Sequence, residues 1–445
     1  MKKDSRNSEN GGGDRRALLM LLTTIVMAGA GMSFESPLVV KITAFYGISD
    51  SDFGFLLAVT TFVIAGASAP WGYLADRHQR IKLIRISQWL TALCMLGAGF
   101  SFMLKLPYEV FFMVKVVSGV GFAGLGLVTT SAVIDTVPLA RRGEAFGWGG
   151  VGWVVGGAVG MIMTSVCMAA KLSLGLTYFL GAAGALAYAV ALFFVREPRR
   201  GAQDEALVNS VGAGKAEYSY RIKFSDLKDL LSRPINILIV FAQSLFAFPS
   251  QVLTIWFVTF MMRNHGLGEF LATQFMFLTF LGMPFGNAFG GAWTDRAYRR
   301  ARYGRVAVML AMSAIAPLFL ITALLLPFKW YFFVPLMIIA NFFVVAGGPG
   351  LTTVSMEVNL PEHRGTIAAM INIWASISRA LAWWIPPIIA ASFGGRYDRA
   401  FILTAAAYAP LVLIYILMIF RIPKDLDRVN GILEKRAQQL GSGNS

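Results

Sequence analysis

Long apolar stretches separated by short charged segments make up most of this chain. Each stretch runs for about 20 residues, which is the length that an α-helix needs to cross a hydrocarbon core of roughly 30 Å. Charged positions cluster between the stretches and rarely interrupt them. The pattern predicts twelve membrane-spanning helices, over residues 17–40, 53–75, 83–104, 110–133, 144–166, 176–195, 235–262, 269–292, 305–327, 330–355, 366–391 and 399–420.

A change of composition after residue 195 divides these spans into six and six. The segment that follows is rich in charge and holds no apolar run long enough to span. We therefore expect an all-α membrane protein of two pseudo-symmetric six-helix halves. In chain order the expected parts are a disordered cytoplasmic N-terminus (1–16), the N-terminal half (17–196), a cytoplasmic linker (197–234), the C-terminal half (235–421) and a cytoplasmic tail (422–445).

Helical spacing inside the linker indicates a short element of its own. Phe224, Leu227 and Leu231 recur at intervals of three and four residues, with charged residues around them. This spacing predicts an amphipathic helix on the cytoplasmic membrane face. The alternative is a solvated linker without fixed structure.

Composition excludes most other classes of protein. Hydrophobic residues make up 56% of the chain and charged residues 14%, against roughly 25% charged residues in average soluble domains. A soluble enzyme, a disordered protein and a fibrous repeat are therefore excluded. Two cysteines, Cys94 and Cys167, both in or beside apolar spans, exclude a disulfide framework and a cysteine metal site.

The net charge of +15 would suggest a nucleic-acid partner in a soluble protein, but here it reports topology. With a cytoplasmic N-terminus, 30 of the 39 Lys and Arg residues fall in inside segments and 7 in outside loops. This asymmetry predicts cytoplasmic termini in a plasma membrane or bacterial inner membrane. The two remaining cations, Lys115 and Arg379, lie within spans.

Two short motifs recur in both halves. Gly72-Tyr-Leu-Ala-Asp76-Arg77 follows span 2, and Gly291-Ala-Trp-Thr-Asp295-Arg296 follows span 8, 219 positions later. After spans 4 and 10 an acidic residue, a proline and an Arg-Gly pair recur at nearly the same offset. Six spans per repeat keep the two halves in the same orientation, so we expect a parallel repeat about an axis along the membrane normal.

These motifs resemble the major facilitator superfamily of secondary transporters, over residues 15–421. Gly72 to Lys82 resembles its loop 2–3 signature, Lys115 to Gly121 is similar to its span 4 pattern, and the glycines of span 5 are similar to its antiporter motif without the Gly-Pro step. Within the superfamily, residues 48–77 and 361–365 resemble spinster-type lipid transporters. The resemblance implies two six-helix halves around a central cavity and rocker-switch alternating access.

The resemblance also implies a role for the charged residues at the cytoplasmic ends of the spans. In the superfamily such clusters latch the two halves together in one conformation. The alternative is a set of topology anchors that hold tight inter-helix turns. The candidate latch residues are Asp76, Arg77, Asp135 and Arg142 in the first half and Asp295, Arg296, Glu357 and Arg364 in the second.

Charges at membrane depth indicate a functional site. An ionised side chain there costs about 2.5–3.5 kcal/mol or more, so it faces a cavity or a partner. Glu35 in span 1 and Lys115 in span 4 lie at similar depth. We expect them to meet and to form a proton-coupling pair, with Lys115 as the counter-charge or as a ligand for a substrate anion. A structural ion pair, or a solvated Glu35, is the alternative.

Span 11 carries a polar face near the midplane. Asn372, Ser376, Arg379 and Trp383 are spaced by four, three and four residues, so they share one side of a helix. No acidic residue of the second half lies at matching depth, which suggests that a substrate anion or Glu35 supplies the partner of Arg379. A polar helix-packing face is the alternative.

Further polar positions complete the expected cavity lining. Gln243, Ser250 and Thr254 share a face of span 7, and Asn341 lies alone in span 10. A lone intramembrane Asn is more often a helix–helix hydrogen bond than a ligand. The run Gly347-Gly348-Pro349-Gly350 should break span 10.

No catalytic, metal or cofactor signature is present, so we expect no enzyme activity. We expect a monomeric secondary active transporter for a small organic anion or zwitterionic amphiphile, proton-coupled, working as a symporter or antiporter. Two alternatives stay open. One is a spinster-like exporter of lysolipids or sphingolipids, and the other is a transporter-like receptor or scaffold.

Overall fold

The computed structural model describes residues 4–136, 142–195, 230, 232–360 and 364–442. Within these residues all regular structure is helical, with α-helices joined by short turns and no strand. The predicted all-α class is therefore confirmed. The predicted linker helix around Phe224, Leu227 and Leu231 lies outside the described residues.

The chain forms two compact units. The first comprises residues 1–218 together with 268–273. Seven α-helices lie in it: α1 (Asp4–Ser33), α2 (Val39–Tyr46), α3 (Asp50–Arg77), α4 (Arg80–Met103), α5 (Tyr108–Thr136), α6 (Arg142–Ala169) and α7 (Leu174–Ala191).

The second unit comprises residues 219–267 and 274–445. Its helices are α8 (Pro234–His265), α9 (Glu269–Phe280), α10 (Gly282–Arg300), α11 (Gly304–Leu325), α12 (Trp330–Ala346), α13 (Gly348–Glu357), α14 (Arg364–Ser392), α15 (Tyr397–Ala405) and α16 (Tyr408–Ser442). Helix α9 starts in the short segment that is assigned to the first unit.

Eleven helical segments of the described chain are long and apolar enough to cross a membrane. Several of them combine two consecutive helices, such as residues 18–46 and 330–357. The remaining predicted span corresponds to α14, which has 29 residues. Its polar positions Asn372, Ser376 and Arg379 lower its mean hydropathy, so it is a less apolar helix than the other spans.

Both ends of the chain extend their neighbouring spans. Helix α1 begins at Asp4, ahead of the apolar stretch. The disorder expected for residues 1–16 stays a prediction. At the other end α16 runs on to Ser442, far beyond the apolar stretch that ends near residue 420.

The first span is broken near one end, which differs from the continuous helix expected over residues 17–40. Helix α1 ends at Ser33, a single 3-10 turn covers Ser36–Leu38, and α2 begins at Val39. Pro37 causes the break because it has no backbone N–H to donate and its ring clashes with the preceding turn. Glu35 precedes this turn, and its carbonyl accepts from the Leu38 N–H at 2.8 Å.

Spans 8 and 10 are also divided. Span 10 breaks at Gly347 between α12 and α13, which confirms the prediction from its Gly-Pro run. The break at Leu281 in span 8 was not expected. Pro284, in the first turn of α10, explains it, because a proline cannot donate to the carbonyl of Phe280.

Close backbone contact between α1 and α6 organises the first unit. A Cβ atom added to Gly156 would lie 2.0 Å from the Val26 carbonyl oxygen, and one added to Gly160 would lie 2.3 Å from the Ala30 carbonyl oxygen. Small residues four positions apart let membrane helices approach this closely. The glycines of span 5 therefore have a packing role in addition to their resemblance to a transport motif.

A matched pair of substitutions in α6 tests this packing. Gly156→Ala should lower the free energy of unfolding by about 1–3 kcal/mol, since its methyl group meets backbone that cannot move aside. Gly150→Ala is the control, because nothing lies within 4 Å of its added Cβ. Thermal melting of the detergent-purified protein measures both. Equal melting temperatures for the two variants would contradict the packing role.

Candidate functional site

Glu35 and Lys115 meet in the first unit. The Lys115 Nζ lies 2.7 Å from the Glu35 Oε1, and both side chains are largely buried, 13% and 8% exposed. The break after α1 presents Glu35, and α5 presents Lys115 two turns from its N-terminal end. The ion pair expected from their matching depth is therefore present. Its part in proton coupling stays a prediction.

Tyr178 completes this site and was missed in the sequence. Its hydroxyl donates to the same Glu35 Oε1 at 2.6 Å, and the residue is 1% exposed. Tyr178 lies on α7, a helix that the sequence did not assign to the cavity. The only sequence signal was a phenol in the second turn of a largely apolar helix, and such a group needs a hydrogen-bond partner when buried.

An aromatic and apolar shell surrounds the three side chains. Phe34 packs edge-on against Tyr178 with ring centroids 5.0 Å apart, and Phe102 lies 5.3 Å from the same ring. The enclosed space lined by Glu35 and Lys115 measures about 10 Å³, which is at the limit for a single water molecule. The site therefore has room for a proton or a water, but not for an organic substrate.

The apolar shell makes the two polar contacts of Glu35 important. An unpartnered charge is costly in such surroundings, and the ammonium group of Lys115 and the phenol of Tyr178 both partner the carboxylate.

The polar face of α14 lies in the second unit. Arg379 forms no hydrogen bond or ion pair with any residue that the structure describes. Trp383, one turn along, is 6% exposed, and its indole Nε1 finds no acceptor within the described chain. The helix is held in place beside them, because Ser378 donates to the Ser244 carbonyl at 2.7 Å and Trp256 donates to the Trp383 carbonyl at 3.1 Å.

The other residues expected to line a cavity are placed less specifically. Ser376 donates to the Asn372 carbonyl at 2.9 Å, and Asn372 is exposed. On α8, Thr254 donates to the Ser250 carbonyl at 2.8 Å and Ser250 to the Ala247 carbonyl at 2.8 Å. Gln243 is half-buried on the same helix. The hydroxyls that bond to their own helix retain only acceptor capacity for a ligand.

Asn341 contributes to helix packing. It is completely buried, and its amide donates to the Thr279 carbonyl of α9 at 3.2 Å and to the Met337 carbonyl of its own helix α12 at 2.9 Å. Its Oδ1 has no hydrogen-bond partner within the described chain. A ligand role for Asn341 stays a prediction.

An ion cluster joins three helices of the second unit. Arg305, at the start of α11, donates to Asp295 at 3.1 Å and also to Glu357, and it stacks on the Tyr298 ring at 3.9 Å. Asp295 and Glu357 are two of the expected latch residues. Arg305 was not among them, because its position in the sequence marks it as one more cytoplasmic cation. Arg296 is exposed.

Most of the remaining latch residues fall outside what the structure describes. The side chains of Asp76, Asp135, Arg142 and Arg364 are in this group. Arg77 is exposed and lies over the Tyr73 ring at 4.2 Å. Their assembly into a cluster stays a prediction.

Within the described residues no group of three His, Cys, Asp or Glu side chains is placed to hold a metal ion.

Comparisons with known proteins are consistent with this architecture. The family model of the Major Facilitator Superfamily matches residues 20–383. Protein spinster homolog 1 of Xenopus tropicalis is 28% identical over 233 residues, which cover 49% of this chain and 40% of that protein. The matched region thus spans less than half the length of this curated relative.

Solved transporter structures share the fold. A bacterial homologue of the human lysosomal transporter spinster, in an inward-facing and unoccupied conformation, superposes with a TM-score of 0.78 at 18% identity and covers 93% of this chain and 98% of its own. A D-xylose–proton symporter gives 0.65 at 14% identity, covering 91% and 96%. With its helical architecture and a family match over most of its length, the chain belongs to the Major Facilitator Superfamily.

Proposed function

We propose that this transporter moves a small organic anion or zwitterion by alternating access and couples the movement to protons through Glu35. The observation that carries the proposal is the buried contact of Glu35 with Lys115 at 2.7 Å. It is supported by the D-xylose–proton symporter, which has the same fold and whose name states proton coupling. The protein acts as a monomer with both termini in the cytoplasm of a plasma or bacterial inner membrane.

The coupling step follows from the cost of an unpaired buried charge. In one conformation Lys115 and Tyr178 hold Glu35 ionised. In the other, separation of the pair makes the carboxylate expensive, and Glu35 takes a proton from the side to which it is then open. Return to the first conformation releases the proton. The enclosed space of about 10 Å³ keeps substrate out of this site.

Substrate charge follows from α14. Arg379 and the indole of Trp383 are donors one turn apart without partners among the described residues. An unsatisfied guanidinium inside a membrane is costly, so a carboxylate or phosphate of the substrate supplies the missing acceptor. A receptor or scaffold would gain nothing from an unpaired arginine inside the membrane. For this reason we place transport ahead of that alternative.

A spinster-like lipid exporter is the second candidate. The relatives named spinster homolog and the bacterial spinster structure favour it. An anionic or zwitterionic lipid headgroup would satisfy the same two donors on α14. Both candidates therefore share one requirement, an anionic group at Arg379.

The latch role is proposed for the charges at the cytoplasmic end of each half. In the second half the contacts of Arg305 with Asp295 and Glu357 support it. The other residues proposed for this role are Asp76, Arg77, Asp135, Arg142, Arg296 and Arg364. A charge cluster can be disrupted and remade at each cycle because a part of it stays accessible to water.

Glu35→Gln should abolish proton coupling while the protein still folds, because a neutral amide keeps the shape of the side chain but cannot ionise. We expect loss of pH-driven substrate accumulation in proteoliposomes, with substrate exchange retained. Substrates come from a thermal-shift screen of organic acids and lipids.

Glu109→Gln is the control, since Glu109 is exposed at the start of α5, the helix that carries Lys115. Tyr178→Phe should weaken pH-driven accumulation without abolishing it, because the carboxylate loses one of its two partners and keeps Lys115. Coupling that survives Glu35→Gln would remove the proposal.

Two substitutions that each remove one indole N–H test the anion site: Trp383→Phe is the test and Trp384→Phe is the control. Trp383→Phe should weaken substrate-dependent stabilisation roughly fivefold, since one hydrogen bond contributes about 1 kcal/mol. Trp384 is exposed, and its replacement should leave affinity unchanged. Arg379→Gln should abolish stabilisation by anions, and an unchanged response in that variant would refute the substrate class.

Arg305→Gln should destabilise the second half by roughly 2 kcal/mol, because it leaves two carboxylates facing each other without a cation. Arg302→Gln serves for comparison. Arg302 pairs with Asp427, but both side chains are about 60% exposed, and exposed ion pairs contribute little to stability. Melting temperatures at low and high salt report the difference. Equal melting temperatures for Arg305→Gln and Arg302→Gln would mean that the cluster has no structural importance.

A further inference from the structure

A large groove lies at one end of the first unit, and Phe102, which packs against Tyr178, forms part of its wall. It measures about 830 Å³. The C-terminal end of α4, the helix α2 and the start of α7 form its walls, with apolar side chains that include Phe45, Phe102, Met103, Leu174, Leu176 and Phe179. Lys41, Lys105 and Ser173 are the lining residues with polar side chains.

The apolar walls of the groove continue onto the outer surface of the helices. Phe45, Met103 and Leu176 are 41%, 66% and 44% exposed. The neighbouring Leu104 and Leu180 are exposed by 62% and 45%. Large apolar side chains exposed on membrane-spanning helices face acyl chains. The groove therefore opens toward lipid.

Two lysines with an unusual backbone border this groove. Lys105 and Lys171 have φ angles of 51° and 58°, and within the described chain they are the non-glycine residues with positive φ. Each follows a helix in the same capping pattern: Leu106 N–H donates to the Ser101 carbonyl at 2.9 Å, and Leu172 N–H donates to the Cys167 carbonyl at 3.0 Å. Glycine normally occupies this left-handed position, because a side chain is disfavoured there.

The charge at this end of the unit is positive. Lys41 Nζ lies 3.1 Å from the Glu269 Oε1, in the short segment 268–273 that belongs to the same unit. Lys105 and Lys171 have no ion-pair partner among the residues described. Lys105 lines the groove itself, and Lys171 immediately precedes the lining residues Leu172 and Ser173. Two uncompensated cations therefore lie beside an apolar groove.

We propose that the groove binds one anionic phospholipid of the adjacent bilayer leaflet, with an acyl chain in the apolar groove and the phosphate at Lys105 and Lys171. Basic residues beside an apolar groove at the membrane interface fit an anionic headgroup with its attached chain. An anchoring role at a helix end would explain the positive charge of each lysine. It would not explain the apolar groove beside them. The lipid is a bound component of the bilayer, independent of the transported substrate.

Native mass spectrometry of the delipidated full chain tests the headgroup contact. Phosphatidylglycerol should bind in a one-to-one complex more tightly than phosphatidylcholine. The double variant Lys105→Gln/Lys171→Gln should weaken phosphatidylglycerol binding at least tenfold, since each lysine near an anionic headgroup contributes a factor of about five. Lys329→Gln, an exposed lysine in a loop of the second unit, is the control and should change nothing.

Leu176→Trp tests the apolar part, because a larger side chain at an exposed lining position fills the groove without entering a packed core. The substitution should weaken the binding of both lipids. Melting temperatures in detergent confirm that each variant folds. Equal affinity for the two lipids, or wild-type binding by either the lysine double variant or Leu176→Trp, would overturn the proposal.

Discussion

An ionised side chain inside a membrane protein must have a partner, and this requirement determines where chemistry can occur in this fold. A lone charge at membrane depth costs several kcal/mol, comparable to a large share of a protein's stability. In the first unit the cost is met internally, since Glu35 faces both Lys115 and Tyr178. In the second unit the described residues offer Arg379 no acceptor. One unit is thus suited to hold a proton and the other to hold an anion.

Irregular backbone lies beside these sites. The proline turn after α1 places Glu35 at a point where the helix is interrupted, and Gly347 separates α12 from α13. Broken helices are tolerated at membrane depth only where protein or a cavity satisfies the freed backbone groups. The glycine contacts between α1 and α6 supply the rigid support, because backbone packed against backbone leaves little room for movement. Glu35, directly after α1, is therefore presented by a firmly packed pair of helices.

Depth along the membrane normal was readable from the sequence, but position around each helix was not. Counting residues from the span ends placed Glu35 and Lys115 at the same level, and that was enough to predict their contact. Tyr178 was missed because its orientation toward Glu35 depends on the packing of α7. Arg305 was missed because one cytoplasmic arginine resembles another until the fold brings Asp295 and Glu357 to it. For Asn341 the sequence already favoured a helix–helix hydrogen bond, and its amide does donate to the neighbouring helix α9 as well as to its own helix.

The central claim is that Glu35 gains and loses a proton within the operating range of the transporter. Infrared difference spectroscopy of the purified protein detects this directly, because a protonated carboxyl has a C=O stretch that a carboxylate lacks. We expect a band that appears on acidification and is absent in the Glu35→Gln variant. We also expect substrate to change its intensity at fixed pH. Identical difference spectra for wild type and Glu35→Gln would contradict the account.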